Sequence, residues 1–283
     1  MIQIIYGKKM YDIFFMFFCP LSNAIEVSPL FLAALCQINQ KPLSQRSGQG
    51  IYNPDLSLRI LLHQFLCCDT TAVKGSTEYE RNDTMIAIID YGAGNLFSVK
   101  NALDFLGLEN KITNSAADLS AADRLILPGV GAFPDAMRML GETGLIGVIK
   151  EEVRKKPLLG ICLGMQMLFE KGYEFGETDG LGLIPGSVKL MRPAGELPVP
   201  HIGWNSLEKN VPCRLLDRCA DGEYVYFVHS YAAECDSKYI AAWCDYGMKV
   251  PALVFCGNVY GAQFHPEKSG ETGLNILRCF AEL

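Results

Sequence analysis

From Met85 to the C-terminus, short apolar runs alternate with stretches of helical periodicity, and that alternation confines the chain to few folds. Ile86-Ala87-Ile88-Ile89, Arg124–Leu127 and Leu158–Ile161 carry almost no polar residue on either alternate set, which suits strands covered on both faces. Leu96, Val99, Leu103 and Leu106 recur at helical spacing, and Gly107 ends that stretch. Strands alternating with helices predict an α/β domain with a mostly parallel central sheet and helices on both sides, a three-layer αβα stack. Further helices are predicted over roughly Asp135 to Lys155, Leu163–Glu170 and Thr272–Leu283, and β structure from Gly182 to Gly261.

Residues 1–84 have a different character. Ile13-Phe14-Phe15-Met16-Phe17-Phe18-Cys19 is too short to span a bilayer, which takes ~20 apolar residues. Lys8 and Lys9 before it suit a signal peptide, but Asp12 at its edge and the lack of a small-residue cleavage site do not. Residues 37–58 read as loop and 69–84 carry no periodicity. This zone is expected to be upstream sequence from an early start codon or a poorly ordered appendage; a targeting segment is the third option. The domain is expected over 85–283.

Charge and cysteines narrow the function. Of a net charge of −6, residues 1–84 contribute nothing, with 7 basic and 7 acidic residues, so the domain carries all of it. A basic nucleic-acid footprint is missing, and so is a Lys/Arg-rich amphipathic helix for a membrane surface. The 11 cysteines include no C-x-x-C pair, and the four histidines show no metal-ligand spacing with them. The expectation is free thiols in a reducing compartment, a cytoplasmic protein, with no metal and no cofactor.

One cysteine stands apart. In Leu158-Leu159-Gly160-Ile161-Cys162-Leu163-Gly164-Met165-Gln166 a buried strand runs into a helix, with Cys162 at the join. G-x-C-x-G is the cysteine form of a nucleophile elbow. The sharp turn needs small neighbours, and the helix start aims free N–H groups and a positive dipole end at the sulfur, which favours the thiolate. A buried cysteine between two packing glycines is the alternative; the strand-to-helix context favours a nucleophile.

Such a nucleophile needs a base, itself oriented by a third group. His265 and Glu267 in Gln263-Phe264-His265-Pro266-Glu267-Lys268 are two apart, so on an extended segment both side chains point the same way. One ring nitrogen can then bond the carboxylate while the other faces the sulfur. Without Cys162 the pair would read as a solvated loop.

Together, Gly160–Gln166 and Gln263–Glu267 resemble the class I (triad) glutamine amidotransferases, and the resemblance spans 85–283. It implies the flavodoxin-like fold of that family. Asp90-Tyr91-Gly92-Ala93-Gly94-Asn95, Leu127–Phe133, Pro200–Asn205 and Tyr226–Tyr231 look like the glutaminase subunit of imidazole glycerol phosphate synthase. Residues 1–84 have no counterpart in the family.

The resemblance implies roles. Cys162 would attack the glutamine amide and form a thioester, with His265 as acid–base and Glu267 as its orienter. The oxyanion would meet backbone N–H groups of Leu163 and, after a peptide rearrangement next to Gly131, Val130. Gln166, Ser230, Tyr231 and Glu174 would hold the amino-acid end of glutamine. Asn95, His201, Trp204, Tyr226 and Lys268 match interface positions toward a (β/α)8 cyclase subunit of imidazole glycerol phosphate synthase, forming a heterodimer. Trp204 is an interface anchor on this reading and a core residue on the plainer one; for Gln166 the plainer reading, less favoured, is a helix-surface amide. His229 reads as a strand residue supporting the site. A glutaminase serving another synthase, such as pyridoxal phosphate synthase, and an inactive regulatory relative are the competing functions.

Overall fold

The structure is a computed structural model and describes residues 84–283. Every expectation for residues 1–83 lies outside the described residues. In chain order the elements are β1 (Ile86–Ile89), α1 (Leu96–Phe105), β2 (Asn110–Thr113), α2 (Ala116–Ala121), β3 (Arg124–Gly129), α3 (Phe133–Glu142), α4 (Ile146–Glu152), β4 (Leu158–Cys162), α5 (Leu163–Gln166), β5 (Phe169–Gly172), β6 (Thr178–Asp179) and β7 (Ile184–Leu190). The second half adds β8 (His201–Ser206), β9 (Glu208–Lys209), β10 (Tyr224–His229), β11 (Tyr231–Glu234), β12 (Ile240–Asp245), β13 (Lys249–Cys256), β14 (Val259–Ala262) and α6 (Gly270–Ala281).

The main sheet has eight strands in the order β2-β1-β3-β4-β14-β13-β12-β9. From β2 to β14 all pairings are parallel; β14, β13, β12 and β9 then pair antiparallel. Alternate residues of each strand serve opposite faces. Ile86, Ile88, Ile126 and Leu159 join Val99 and Leu103 of α1 and Ile276 and Phe280 of α6 in one cluster. Ala87, Ile89, Leu125 and Leu158 join Leu119 of α2, Leu140 of α3 and Ile149 of α4 in the other. Covering both faces is what makes these strands continuously apolar, and it yields the three layers expected.

Three boundaries differ from the sequence expectation. The helix after Cys162 stops at Gln166, not Glu170, because Phe169–Gly172 is drawn into the second sheet as β5, paired with β6 and β7; tertiary pairing overrides the local helical periodicity. The region Asp135–Lys155 is two helices, α3 and α4, broken at Thr143–Leu145. The C-terminal helix begins at Gly270 and ends at Ala281.

The register decides where a site can form. β4 lies between β3 and β14, with Gly129 opposite Cys162 on one side and Ala262 opposite Ile161 on the other. The carboxyl ends of β3, β4 and β14 therefore open at one edge, the usual place for a ligand in an open α/β sheet. Two smaller sheets flank it: β11-β7-β5-β6 and the antiparallel ribbon β10-β8.

Candidate active site

Cys162 is the last residue of β4 and the N-cap of α5, with φ 55° and ψ −110°. That left-handed conformation is costly for a residue with a side chain and persists only where its surroundings enforce it. Its surroundings do: a Cβ added at Gly164 would run into the Leu127 carbonyl, and one at Gly160 would lie 2.6 Å from the Gly164 carbonyl oxygen. Gly160 lets β4 approach α5, and Gly164 lets α5 approach β3, closely enough to form the corner.

Cys162 opens on a cavity of about 310 Å³. Nine of the ten residues expected to serve catalysis, the oxyanion or the substrate line it: Cys162, His265, Val130, Gly131, Leu163, Gln166, Ser230, Tyr231 and Glu174. The tenth, Glu267, stands behind His265, whose Nδ1 lies 2.8 Å from Glu267 Oε1. The pair does not meet by strand alternation as expected. β14 ends at Ala262, and Pro266–Lys268 is a 3-10 turn that folds the carboxylate back onto the ring. The Glu267 side chain is fully enclosed (0 % exposed). Burial works against a charged His265, but hydrogen bonds to Cys162 and Glu267 prevail and raise it to about 9. Nδ1–H thus donates to the carboxylate, and Cys162 is the ring's other hydrogen-bonding neighbour.

Backbone contacts fix the position of this histidine. Its N–H donates to the Tyr226 carbonyl of β10 (3.0 Å). Ser269 Oγ donates to the His265 carbonyl (2.6 Å) and accepts from the Tyr226 N–H (3.0 Å). Ser269 is buried and escaped the sequence reading, because a small hydroxyl just past a turn carries no pattern of its own. Asn95, expected at an interface, sits at the start of α1 and reaches Glu267 Oε1 with its Nδ2 at 3.4 Å, while its Oδ1 accepts from Ser98 Oγ at 2.7 Å. It therefore supports the carboxylate from behind.

At the far end of the cavity Glu174 accepts from the Phe133 N–H (2.7 Å) at the start of α3. Burial, and then the Glu174 charge, raise the Tyr231 phenol, so that carboxylate lies close to Tyr231. Gln166 is buried, not a helix-surface amide. Tyr91, in the loop after β1, has a buried hydroxyl without a partner among the described residues. Burial and the nearby Cys162 charge push its ionisation up, so it stays a neutral phenol beside the nucleophile. Val130 is 45 % exposed at the rim, and Gly131 beside it has φ 97°.

The other interface candidates separate cleanly. In the β8–β10 ribbon Trp204 is paired with Tyr226, rings edge to face at 6.0 Å, and Trp204 is more than half exposed, which removes the core reading. Ile202 and Tyr224 lie exposed on the same ribbon, and Lys268 is exposed at the end of the Pro266–Lys268 turn. His201 is a correction: strand alternation turns it inward, where it is 2 % exposed and stacks on Phe227 (4.7 Å) and Tyr246 (3.9 Å). Its side chain is not available to touch a partner.

A strained cysteine at a strand-to-helix corner, a histidine beside it and a carboxylate behind make the arrangement that a triad-type thiol nucleophile requires. The family model described as glutamine amidotransferase class-I matches residues 87–282, and the chain belongs to that family; it is an enzyme of the glutamine amidotransferase kind. Among curated relatives, the imidazole glycerol phosphate synthase subunit HisH of Listeria monocytogenes serotype 4a (strain HCC23) is 52 % identical over 202 residues, covering 70 % of this chain and 96 % of that one. The subunit of the same name from Bacillus cereus (strain B4264) is 50 % identical over 197 residues, covering 69 % and 93 %. Solved folds agree: a glutamine amidotransferase crystal structure aligns with TM-score 0.55 at 21 % identity over 70 % of this chain and 97 % of that one, and the PurLQS structure from Thermotoga maritima with 0.57 at 19 % over 71 % and 98 %. No helix among the described residues is long and apolar enough to cross a membrane.

Proposed function

We propose that this chain is the glutaminase subunit of an imidazole glycerol phosphate synthase, hydrolysing glutamine to glutamate and ammonia and passing the ammonia to a (β/α)8 cyclase subunit in histidine biosynthesis. The observation that carries the reading is the Cys162–His265–Glu267 alignment at the mouth of one cavity. His265 takes the thiol proton of Cys162, and the sulfur attacks the side-chain amide carbon of glutamine. His265 gives its proton to the departing ammonia, leaving a γ-glutamyl thioester. The now neutral ring takes a proton from water, whose oxygen attacks the thioester; glutamate leaves and the thiol is restored. Glu267 holds the ring throughout.

Backbone N–H groups of Leu163 and Val130 are the oxyanion donors in this scheme, the second after a peptide turns at Val130-Gly131. A missing donor costs on the order of 10²–10³ in rate, so a partner that turns the peptide would switch the glutaminase on. Gln166, Ser230, Tyr231 and Glu174 hold the amino-acid end. Free ammonia protonates in neutral water, so delivery requires a sealed joint to the acceptor enzyme. The exposed ribbon bearing Ile202, Trp204, Tyr224 and Tyr226, with Lys268, is the proposed docking face of the heterodimer; aromatics of this kind anchor interfaces. The names of the curated relatives favour this acceptor over another synthase. The seven described cysteines are all free, which suits a cytoplasmic setting.

The test is glutamate release with and without the cyclase subunit. Cyclase-stimulated turnover that disappears in Cys162→Ala, by on the order of 10⁴-fold or more, is expected. Trp204→Ala combined with Tyr226→Ala should weaken capture of the cyclase by about 2 kcal/mol or more. Full activity in the isolated chain removes the switch, unchanged capture moves the docking face, and activity without Cys162 ends the mechanism.

A further inference from the structure

His229 lines the cavity but takes no part in the chemistry above, and His201, its cross-strand partner in the β8–β10 ribbon, faces the interior beside it. Their hydrogen bonds fix both tautomers. His229 Nδ1 lies 2.8 Å from the Tyr231 carbonyl oxygen, which can only accept, so Nδ1 carries the proton. Burial holds both rings at about 4, well below ordinary imidazole, so both are neutral. His229 Nε2 is then an acceptor, and His201 Nδ1, 3.2 Å away, donates to it.

The Tyr231 carbonyl has a second lone pair, and Gln166 Nε2 donates to it at 3.0 Å. The other hydrogen of that amide goes to Gln263 Oε1, also at 3.0 Å. Gln263 is fully buried, and its own amide nitrogen reaches Cys162 Sγ at 4.0 Å, the outer limit for sulfur. The chain of bonds runs from β8 through β10, β11 and α5 to the nucleophile. It spends both hydrogens of Gln166 and both lone pairs of Tyr231. What Gln166 has left for a ligand is the acceptor Oε1, on the cavity that also holds the Glu174 carboxylate. An acceptor and an anion together suit the ammonium group of an α-amino acid.

We propose that His229, buttressed by His201, is a positioning residue for glutamine: by saturating the Tyr231 carbonyl it holds Gln166 with its oxygen, not its nitrogen, toward the substrate's ammonium end. This rests on the glutaminase reading and deepens it. The role is in binding, so its loss shows in KM and not in kcat.

The experiment is steady-state glutamine hydrolysis by the full chain in complex with its cyclase partner, with circular dichroism reporting the folded fraction. Asparagine places an amide N–H where Nδ1 was, and glutamine places one where Nε2 was. His229→Ala and His229→Gln should raise KM about tenfold, the worth of one buried hydrogen bond, with kcat within about threefold. His229→Asn should recover most of that KM. His201→Phe keeps the stacking on Phe227 and Tyr246 but removes the donor, and should raise KM about threefold. If His229→Ala does not fold, the asparagine–glutamine contrast and His201→Phe carry the test. An unchanged KM in His229→Gln and His201→Phe overturns the proposal. So does His229→Asn no better than His229→Gln, or a loss of rate that merely tracks the folded fraction. A wild-type complex with no Cys162-dependent turnover fails at the glutaminase reading instead, and the inference falls with it.

Discussion

The two walls of the cavity are held by different physics. The Cys162 wall is steric: a β4–α5 corner with φ 55° exists because Gly160 and Gly164 let backbone meet backbone. The His265 wall is a lattice of hydrogen bonds, from Tyr226, Ser269, Glu267 and Asn95, assembled from residues up to 172 positions apart. A steric wall has one arrangement or none. A hydrogen-bonded wall tolerates small displacements and can be tuned, and it is the wall joined to the exposed ribbon through the Tyr226 peptide. The Cys162 corner is thus rigid by construction, while the His265 side is the part linked to the exposed ribbon.

The contrast can be broken from the steric side first. Gly164→Ala drives a methyl into the Leu127 carbonyl and should either unfold the corner or destabilise the domain by about 3 kcal/mol or more. Labelling of Cys162 by a glutamine-mimicking electrophile should then disappear. A thermally unperturbed Gly164→Ala that still labels would show that the corner is not sterically set.

From the other wall the effects are graded. Glu267→Gln removes one of the groups that raise His265, so an NMR titration of that ring should move down from about 9 toward 6.5. The sign for stability follows. A histidine raised from 6.5 to about 9 adds stability that is complete below 6.5 and is lost as the pH climbs through 9. Glu267→Gln should therefore cost most stability below about pH 7, and the His265-linked part of that cost should fade by pH 10. A ring that still titrates near 9 in this variant would remove Glu267 as its orienter.

The smallest effect belongs to Asn95. Its bond to Glu267 is long, 3.4 Å, so Asn95→Ala should slow Cys162 labelling in the isolated chain only several-fold, about 1 kcal/mol. Weaker capture of the cyclase with unchanged labelling would return Asn95 to the interface reading.

What the sequence made legible follows the same division. The steric wall is local, seven consecutive residues from Gly160 to Gln166, and the strand-to-helix corner at Cys162 could be read directly from them. So could the double-sided apolar strands β1, β3 and β4. Edge elements escaped: β2, Asn-Lys-Ile-Thr, pairs on one side only and shows little apolar pattern. The short helix α2 also escaped, although Ser115 caps it by accepting from the Asp118 N–H, a spacing visible in the sequence. The hydrogen-bonded wall was the least legible. Ser269 and Gln263 meet partners far off in the chain, and nothing in their own neighbourhoods marks those bonds. His201 and His229 lie in recognised motifs, but which face of its strand each side chain serves, and that the two rings meet, depends on register.

The ribbon has a bearing on how such a chain must be supplied. Ile202, Trp204 and Tyr224 are each more than half uncovered, side by side on two strands. A copy made in excess of whatever covers them carries a greasy stripe into a crowded solution, where it invites clumping and proteolytic clearance. Synthesis in matched numbers with its cover would spare it that fate, and soluble yield on co-expression is where the matching would be felt.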